Sequence, residues 1–193
     1  MRVPMIVASC AILCSCADWS VIYYNYYNSA YEPGQVNLAA ASGPSLAVIR
    51  HNPFPNDRNN EGVLAAMQGR NLGQRMYFTQ TPRPDDKYGY KVILSFNGVS
   101  SPGEPTYSSD STYGYSAECQ ARPTPPSASR VTDDITVTGA FCVGNLLLTD
   151  ASGSIGDATG PDDPRFRRLI GDIMVALTPP YIPHGGHACN GNC

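Results

Sequence analysis

The chain has 193 residues, of which 15% are charged, and its formal net charge is −3. This length suits a single domain with a hydrophobic core of its own. The chain has no lysine- or arginine-rich run, which argues against nucleic-acid binding because contact with the phosphate backbone needs clustered positive charge. Beyond the first sixteen residues, no segment has the 18 or more apolar residues of a transmembrane helix.

The first sixteen residues have the pattern of an export signal. Arg2 precedes an apolar run over residues 3–13, and small residues follow it. The four residues at 13–16, Leu-Cys-Ser-Cys, resemble the lipobox of bacterial lipoprotein precursors. The resemblance implies cleavage before Cys16, lipidation of Cys16 and attachment of the mature protein to a membrane. Anchoring of this kind is stable when two or more acyl chains are present.

Other interpretations of this segment remain open. Residues 7–10 also fit the lipobox pattern, but Cys10 would leave an apolar run at the lower limit for export, so Cys16 is favoured. An ordinary cleaved signal and a short buried element are the further alternatives. Ala17 directly after Cys16 favours the outer membrane, where the protein would face the periplasm. We therefore expect residues 1–15 to be removed and the mature chain to reside in the cell envelope.

Residues 16–34 form a tyrosine-rich segment directly after the proposed anchor. Its aromatic and β-branched content predicts a strand near residues 20–27. A tether and a contact surface are the alternatives. Four tyrosines are candidate partner contacts because tyrosine is common at interfaces: Tyr23, Tyr24, Tyr26 and Tyr27. The alternative is that these rings cover the sheet.

The next segments predict strands separated by a helix. Residues 45–50 read as a short strand that ends at the turn around Pro53. Asn56 or Asp57 then caps a helix that reaches about Leu72, with Gly73 as its terminator. The alternation over residues 88–97 predicts a half-buried antiparallel strand.

The second half of the chain contains a long loop, more strand and a helix. Residues 98–128 show no apolar periodicity, and loops of this length are usually functional or disordered; the loop carries Tyr107, Tyr113 and Tyr115. Residues 135–149 fit either a strand pair or one bulged strand. The clearest helix starts at Asp162 or Asp163 and is ended by residues 178–180, Thr-Pro-Pro. We expect its apolar stripe to pack on the sheet, with a membrane-surface or partner helix as the alternative.

Four cysteines lie outside the signal segment, and an even number in an oxidising compartment indicates two disulfides with three possible pairings. The local pairs Cys119–Cys142 and Cys189–Cys193 are favoured, and a buried free thiol at Cys142 is the alternative. The tail at 181–193 also holds two histidines. Four of its residues could together ligate Zn²⁺ or Cu⁺: His184, His187, Cys189 and Cys193. A disulfide-closed tail is preferred because this spacing is not one of the usual zinc patterns.

These elements predict an α+β fold, a two-layer sandwich of a mainly antiparallel sheet with two helices and long irregular loops. A single domain over residues 35–180 would lie between the tyrosine-rich segment and the tail. No nucleophile elbow or phosphate-binding loop is present, so we expect no enzyme activity and no cofactor. The sequence predicts a lipid-anchored envelope protein that binds or assembles with other envelope proteins. A metal-handling lipoprotein that uses the tail is the alternative.

Overall fold

The structure is a computed structural model that describes residues 20–86, 88–97, 118–120, 134–156 and 158–181. Its strands and helices are β1 Val21–Tyr27, α1 Gly34–Ala41, β2 Ser45–Arg50, α2 Glu61–Met67, β3 Phe78–Thr79, β4 Tyr90–Phe96, β5 Asp134–Val143, β6 Leu146–Gly156 and α3 Pro164–Leu177. A short 3-10 turn covers Glu118–Gln120.

The six strands of the described residues form one sheet, in the order β1-β6-β5-β4-β2-β3. The pairs β1–β6, β6–β5 and β5–β4 are antiparallel, whereas β2 runs parallel to both β4 and β3. The predicted α+β fold is confirmed. The prediction for β4 needs correction, because this strand has an antiparallel neighbour on one side only. Strand β2 reaches its parallel neighbours through connections that include α2.

Strands β5 and β6 resolve the alternatives for residues 135–149. They form a hairpin with a two-residue turn, in which Gly144 takes a φ of +56°. Turns of this length need positive φ, which glycine adopts at little cost. The register shifts between Phe141 and Cys142, so the hairpin also contains a bulge. The strand pair is therefore the correct alternative, and the single long bulged strand is wrong.

Helix α3 follows its prediction closely. The Asp163 side chain accepts the backbone N–H of Arg165 at 2.9 Å, and Pro164 occupies the first helical position. A hydrogen bond from the Arg165 side chain is the main reason that the pKa of Asp163 lies well below its usual range. The stripe that packs on the sheet is fully buried: Phe166, Leu169, Ile170, Ile173, Met174 and Leu177. Burial of each such side chain contributes roughly 1.5–3 kcal/mol before entropy is counted.

Helix α2 is shorter than predicted. Asp57 caps it from outside, since its carboxylate accepts the backbone N–H groups of Gly62 at 3.1 Å and Val63 at 3.2 Å. The helix stops at Met67, and Gly69 then adopts a φ of +62° that α-helical geometry excludes. The predicted extension to Leu72 is wrong, and that side chain is 45% exposed.

Helix α1 was not predicted, so the structure contains three α-helices in the described residues instead of the expected two. Only Val36 and Ala39 of α1 are buried, and Leu38 is 47% exposed. Two buried positions in a run of small residues do not produce a recognisable helical stripe. Contacts with the rest of the core therefore decide this helix.

Candidate functional site: the second face of the sheet and its tyrosine edge

The sheet has two unlike faces. All three α-helices contribute to one hydrophobic core on the first, which we call the helix face. A smaller apolar cluster lies on the opposite side, which we call the second face. In the described part of the chain, the 3-10 turn is the one helical element that contacts the second face, through Cys119. Among the described residues, the second face and the sheet edges are therefore the candidate binding surfaces.

The end of the second face near the β5–β6 turn is apolar. Its buried members come from four strands and the 3-10 turn: Val48, Ile93, Cys119, Ala140, Cys142 and Leu147. A disulfide joins Cys119 to Cys142, with the Cα atoms 5.9 Å apart. Burial lowers the pKa of Lys91, which lies opposite both Leu46 and Cys142. The disulfide therefore attaches the 3-10 turn covalently to β5 at this end of the sheet.

The other end of the second face carries polar side chains in one row. Strand register places Arg50 opposite Ser95, Ser95 opposite Thr138, and Thr138 opposite Ser152. We call these four residues the polar row. The Thr138 and Ser152 hydroxyls lie 3.2 Å apart, which is hydrogen-bond distance. All four side chains are partly exposed, whereas the residues beside them on the helix face are buried. The row can bind a ligand through hydrogen bonds.

The tyrosine-rich segment is an edge strand. Strand β1 pairs with β6 alone among the described strands, with a bulge between Ile22 and Tyr24. Tyr26 is half-buried and packs against the apolar cluster of the second face. Tyr27 lies 6.4 Å from Tyr31 between ring centroids, and burial raises its pKa. The side chains of Tyr23 and Tyr24 are outside what the structure describes, so their contacts stay a prediction.

Several predicted site residues fall outside the described residues. They are the lipidation residue, the second cysteine pair, the tail histidines and the loop tyrosines: Cys16, Cys189, Cys193, His184, His187, Tyr107, Tyr113 and Tyr115. Within the described ranges, no group of three or more metal-ligating side chains is gathered. None of the helices in those ranges has the length and apolar character needed to cross a membrane.

Arg50 was not predicted from the sequence as a site residue. Side chains alternate along β2, so Arg50 shares its face with Leu46 and Val48 and follows a run of four apolar residues in that strand. A single charged residue at the last position of such a strand was the available signal. The hydroxyls of the polar row had no signal in the sequence, because the three strands that carry them are brought together only by the sheet.

No family model matches the chain, and no curated protein matches it. Two solved structures of PelC dodecamers from Paraburkholderia phytofirmans, one of them a single-residue variant, are similar to the chain. The variant is 11% identical with a TM-score of 0.41, and the other is 12% identical with a TM-score of 0.44. Each match covers 83% of this chain and 98% of the PelC chain. At these values neither similarity supports a function for this chain.

Proposed function

We propose that this protein is a lipid-anchored bacterial envelope protein that binds a partner protein through the free edge of β1. The observation that carries the proposal is the position of β1. This seven-residue strand begins five residues after Cys16 and forms one edge of the sheet that the described strands make. The opposite edge is the two-residue strand β3. Proteins commonly keep edge strands short to prevent pairing with other chains, and β1 does not follow that rule.

The start of β1 is held against α3. The Ser20 hydroxyl donates a hydrogen bond to the carboxylate of Asp172. Ser20 follows Cys16 by four residues, and four residues reach at most about 14 Å. Acyl chains on Cys16 would therefore hold the start of β1 close to the membrane surface, where other anchored proteins meet it.

The free edge offers backbone groups at defined positions. Asn28 donates its backbone N–H to the carbonyl of Leu148 at 2.8 Å, so its backbone faces β6. Alternation in an antiparallel pair then directs the backbone of Tyr26 toward β6 as well. Asn25 and Tyr27 present their N–H and C=O groups at the outer edge. A partner that adds an extended strand would satisfy these groups, and its side chains would meet the tyrosines.

The Cys119–Cys142 disulfide supports the proposed location in an oxidising compartment. Such bonds persist in the periplasm and outside the cell and are rare in the cytosol. The proposed function therefore has three parts: location in the cell envelope, a lipid anchor at Cys16 and partner binding at the edge of β1.

The anchor is tested by labelling cells with a fatty acid that the lipidation pathway incorporates. We expect label in the wild type and in Cys10→Ser, and none in Cys16→Ser. Label that survives Cys16→Ser, or is absent from the wild type, contradicts the anchor.

The binding edge is tested with two proline variants. Asn25→Pro removes an N–H at the outer edge and leaves the β6 ladder intact, which edge strands tolerate. Tyr26→Pro removes an N–H that faces β6. We expect Asn25→Pro to keep its melting temperature and lose its cross-linked adducts in intact cells, whereas Tyr26→Pro unfolds at lower temperature. Adducts that are unchanged in Asn25→Pro, and also after Tyr23, Tyr24, Tyr26 and Tyr27 are all changed to Ser, would contradict the proposal.

A further inference from the structure

Arg50 differs from the other arginines that the structure describes. Its Nε is buried and has no hydrogen-bond partner, and no carboxylate pairs with its guanidinium among the described residues. The four arginines of the ion pairs each have an acidic partner within 4 Å: Arg83, Arg165, Arg167 and Arg168. The remaining three are exposed to solvent: Arg58, Arg70 and Arg75. Arg50 therefore combines partial burial with an unsatisfied charged donor.

An unsatisfied charged donor in a buried position is costly to the fold, because its lost hydration is not replaced. The guanidinium is a planar fork of N–H donors that fits a carboxylate or phosphate through two parallel hydrogen bonds. An oxyanion that binds beside Arg50 would supply the missing acceptor. The position therefore favours binding of an anionic oxygen group over simple solvent contact.

The hydroxyls of the polar row extend this site across the sheet. Four strands at about 4.8 Å spacing place Ser152 about 14 Å from Arg50 along the row. Hydroxyls both donate and accept hydrogen bonds, so Ser95, Thr138 and Ser152 match the hydroxyls of a polyol. Strands also hold these side chains more rigidly than loops would, which lowers the entropy cost of binding.

We propose that Arg50 and the hydroxyls of Ser95, Thr138 and Ser152 form a binding site for an oxyanion carried on a hydroxyl-rich molecule. Arg50 holds the anionic group, and the three side-chain hydroxyls bind the hydroxyls of the same molecule. The site lies at the end of β2, separate from the edge of β1, so its occupation does not depend on the partner proposed above.

The test measures binding of three probes to the purified full chain by calorimetry at constant ionic strength: glucuronate, acetate and inorganic phosphate. We expect all three to bind and glucuronate to bind more tightly than acetate, because glucuronate carries hydroxyls for the Ser and Thr side chains of the row and acetate carries none. We expect Arg50→Gln to lower the affinity for each probe by about tenfold or more, because charge-assisted hydrogen bonds are lost. Arg75→Gln removes the same charge at an exposed position and leaves binding unchanged.

Two further variants distinguish loss of the binding site from loss of the fold. Arg50→Lys keeps the charge and loses the fork, so it binds more weakly than the wild type and more tightly than Arg50→Gln. Thr138→Val removes one hydroxyl and reduces the preference for glucuronate over acetate without changing acetate binding. The proposal is overturned if Arg50→Gln binds the probes like the wild type, or if the wild type binds none of them.

Discussion

Reduction tests the Cys119–Cys142 disulfide, which supports the oxidising compartment of the proposed function. The two residues are separated by 23 positions, and both are fully buried. In the chain-entropy treatment, opening a loop of this size lowers the free energy of unfolding by about 3.4 kcal/mol at 25 °C. For a chain of this length, that loss corresponds to a fall in melting temperature of about 7–14 °C.

The assay is thermal unfolding of the purified full chain with and without a reducing agent. We expect the reducing agent to lower the melting temperature of the wild type and to leave the double variant Cys119→Ala, Cys142→Ala unchanged. The double variant is the control for reduction of any other disulfide. Free thiols at both positions before any reductant is added, with a melting temperature that the reductant does not change, would refute the pairing and remove its support for an oxidising compartment.

Three other outcomes follow from the sequence and the structure. The pKa of Asp163 is lower in the folded chain than in the unfolded chain, where it is near 4, so its carboxylate stabilises the fold above that pH and the stability is lost as the pH falls below about 4. We expect Asp163→Asn to lose less stability than the wild type when unfolding is measured across an acid titration. Gly139→Ala places a methyl group 2.9 Å from side chains of α3 and costs about 1–3 kcal/mol in denaturant unfolding, whereas Gly34→Ala meets nothing within 4 Å and does not destabilise. Peptide mapping without reduction yields a Cys189–Cys193 linked peptide; zinc in equimolar amount, lost when both tail histidines are replaced by Ala, would instead favour the metal-handling alternative.

Strong local patterns were sufficient for several elements. Helix α3 combines a capping aspartate, a proline at its first position and an apolar stripe at helical spacing. Strand β4 carries apolar residues at all its even positions, and these side chains are buried on the helix face. In both cases neighbouring residues along the chain carry the information, so no knowledge of the partner element was needed.

The candidate sites divide in the same way. The tyrosine-rich segment, with its strand, was visible in the sequence because its residues are contiguous. The polar row was not visible, since Arg50 and Ser152 are about a hundred positions apart and meet only through the strand order. Helix α1 was not predicted, because only two of its side chains, Val36 and Ala39, are buried, and both pack in the core of the whole domain.

The sequence by itself determined the export pattern, the α+β class and the main strands and helices, since each depends on composition or short-range periodicity. Only the tertiary structure decided that β2 runs parallel to β4, that the three α-helices of the described residues pack on one face, and that β1 lies at an edge of the described strands. Strand order follows from which apolar faces bury best together, and that is a property of the whole sheet that no single segment encodes.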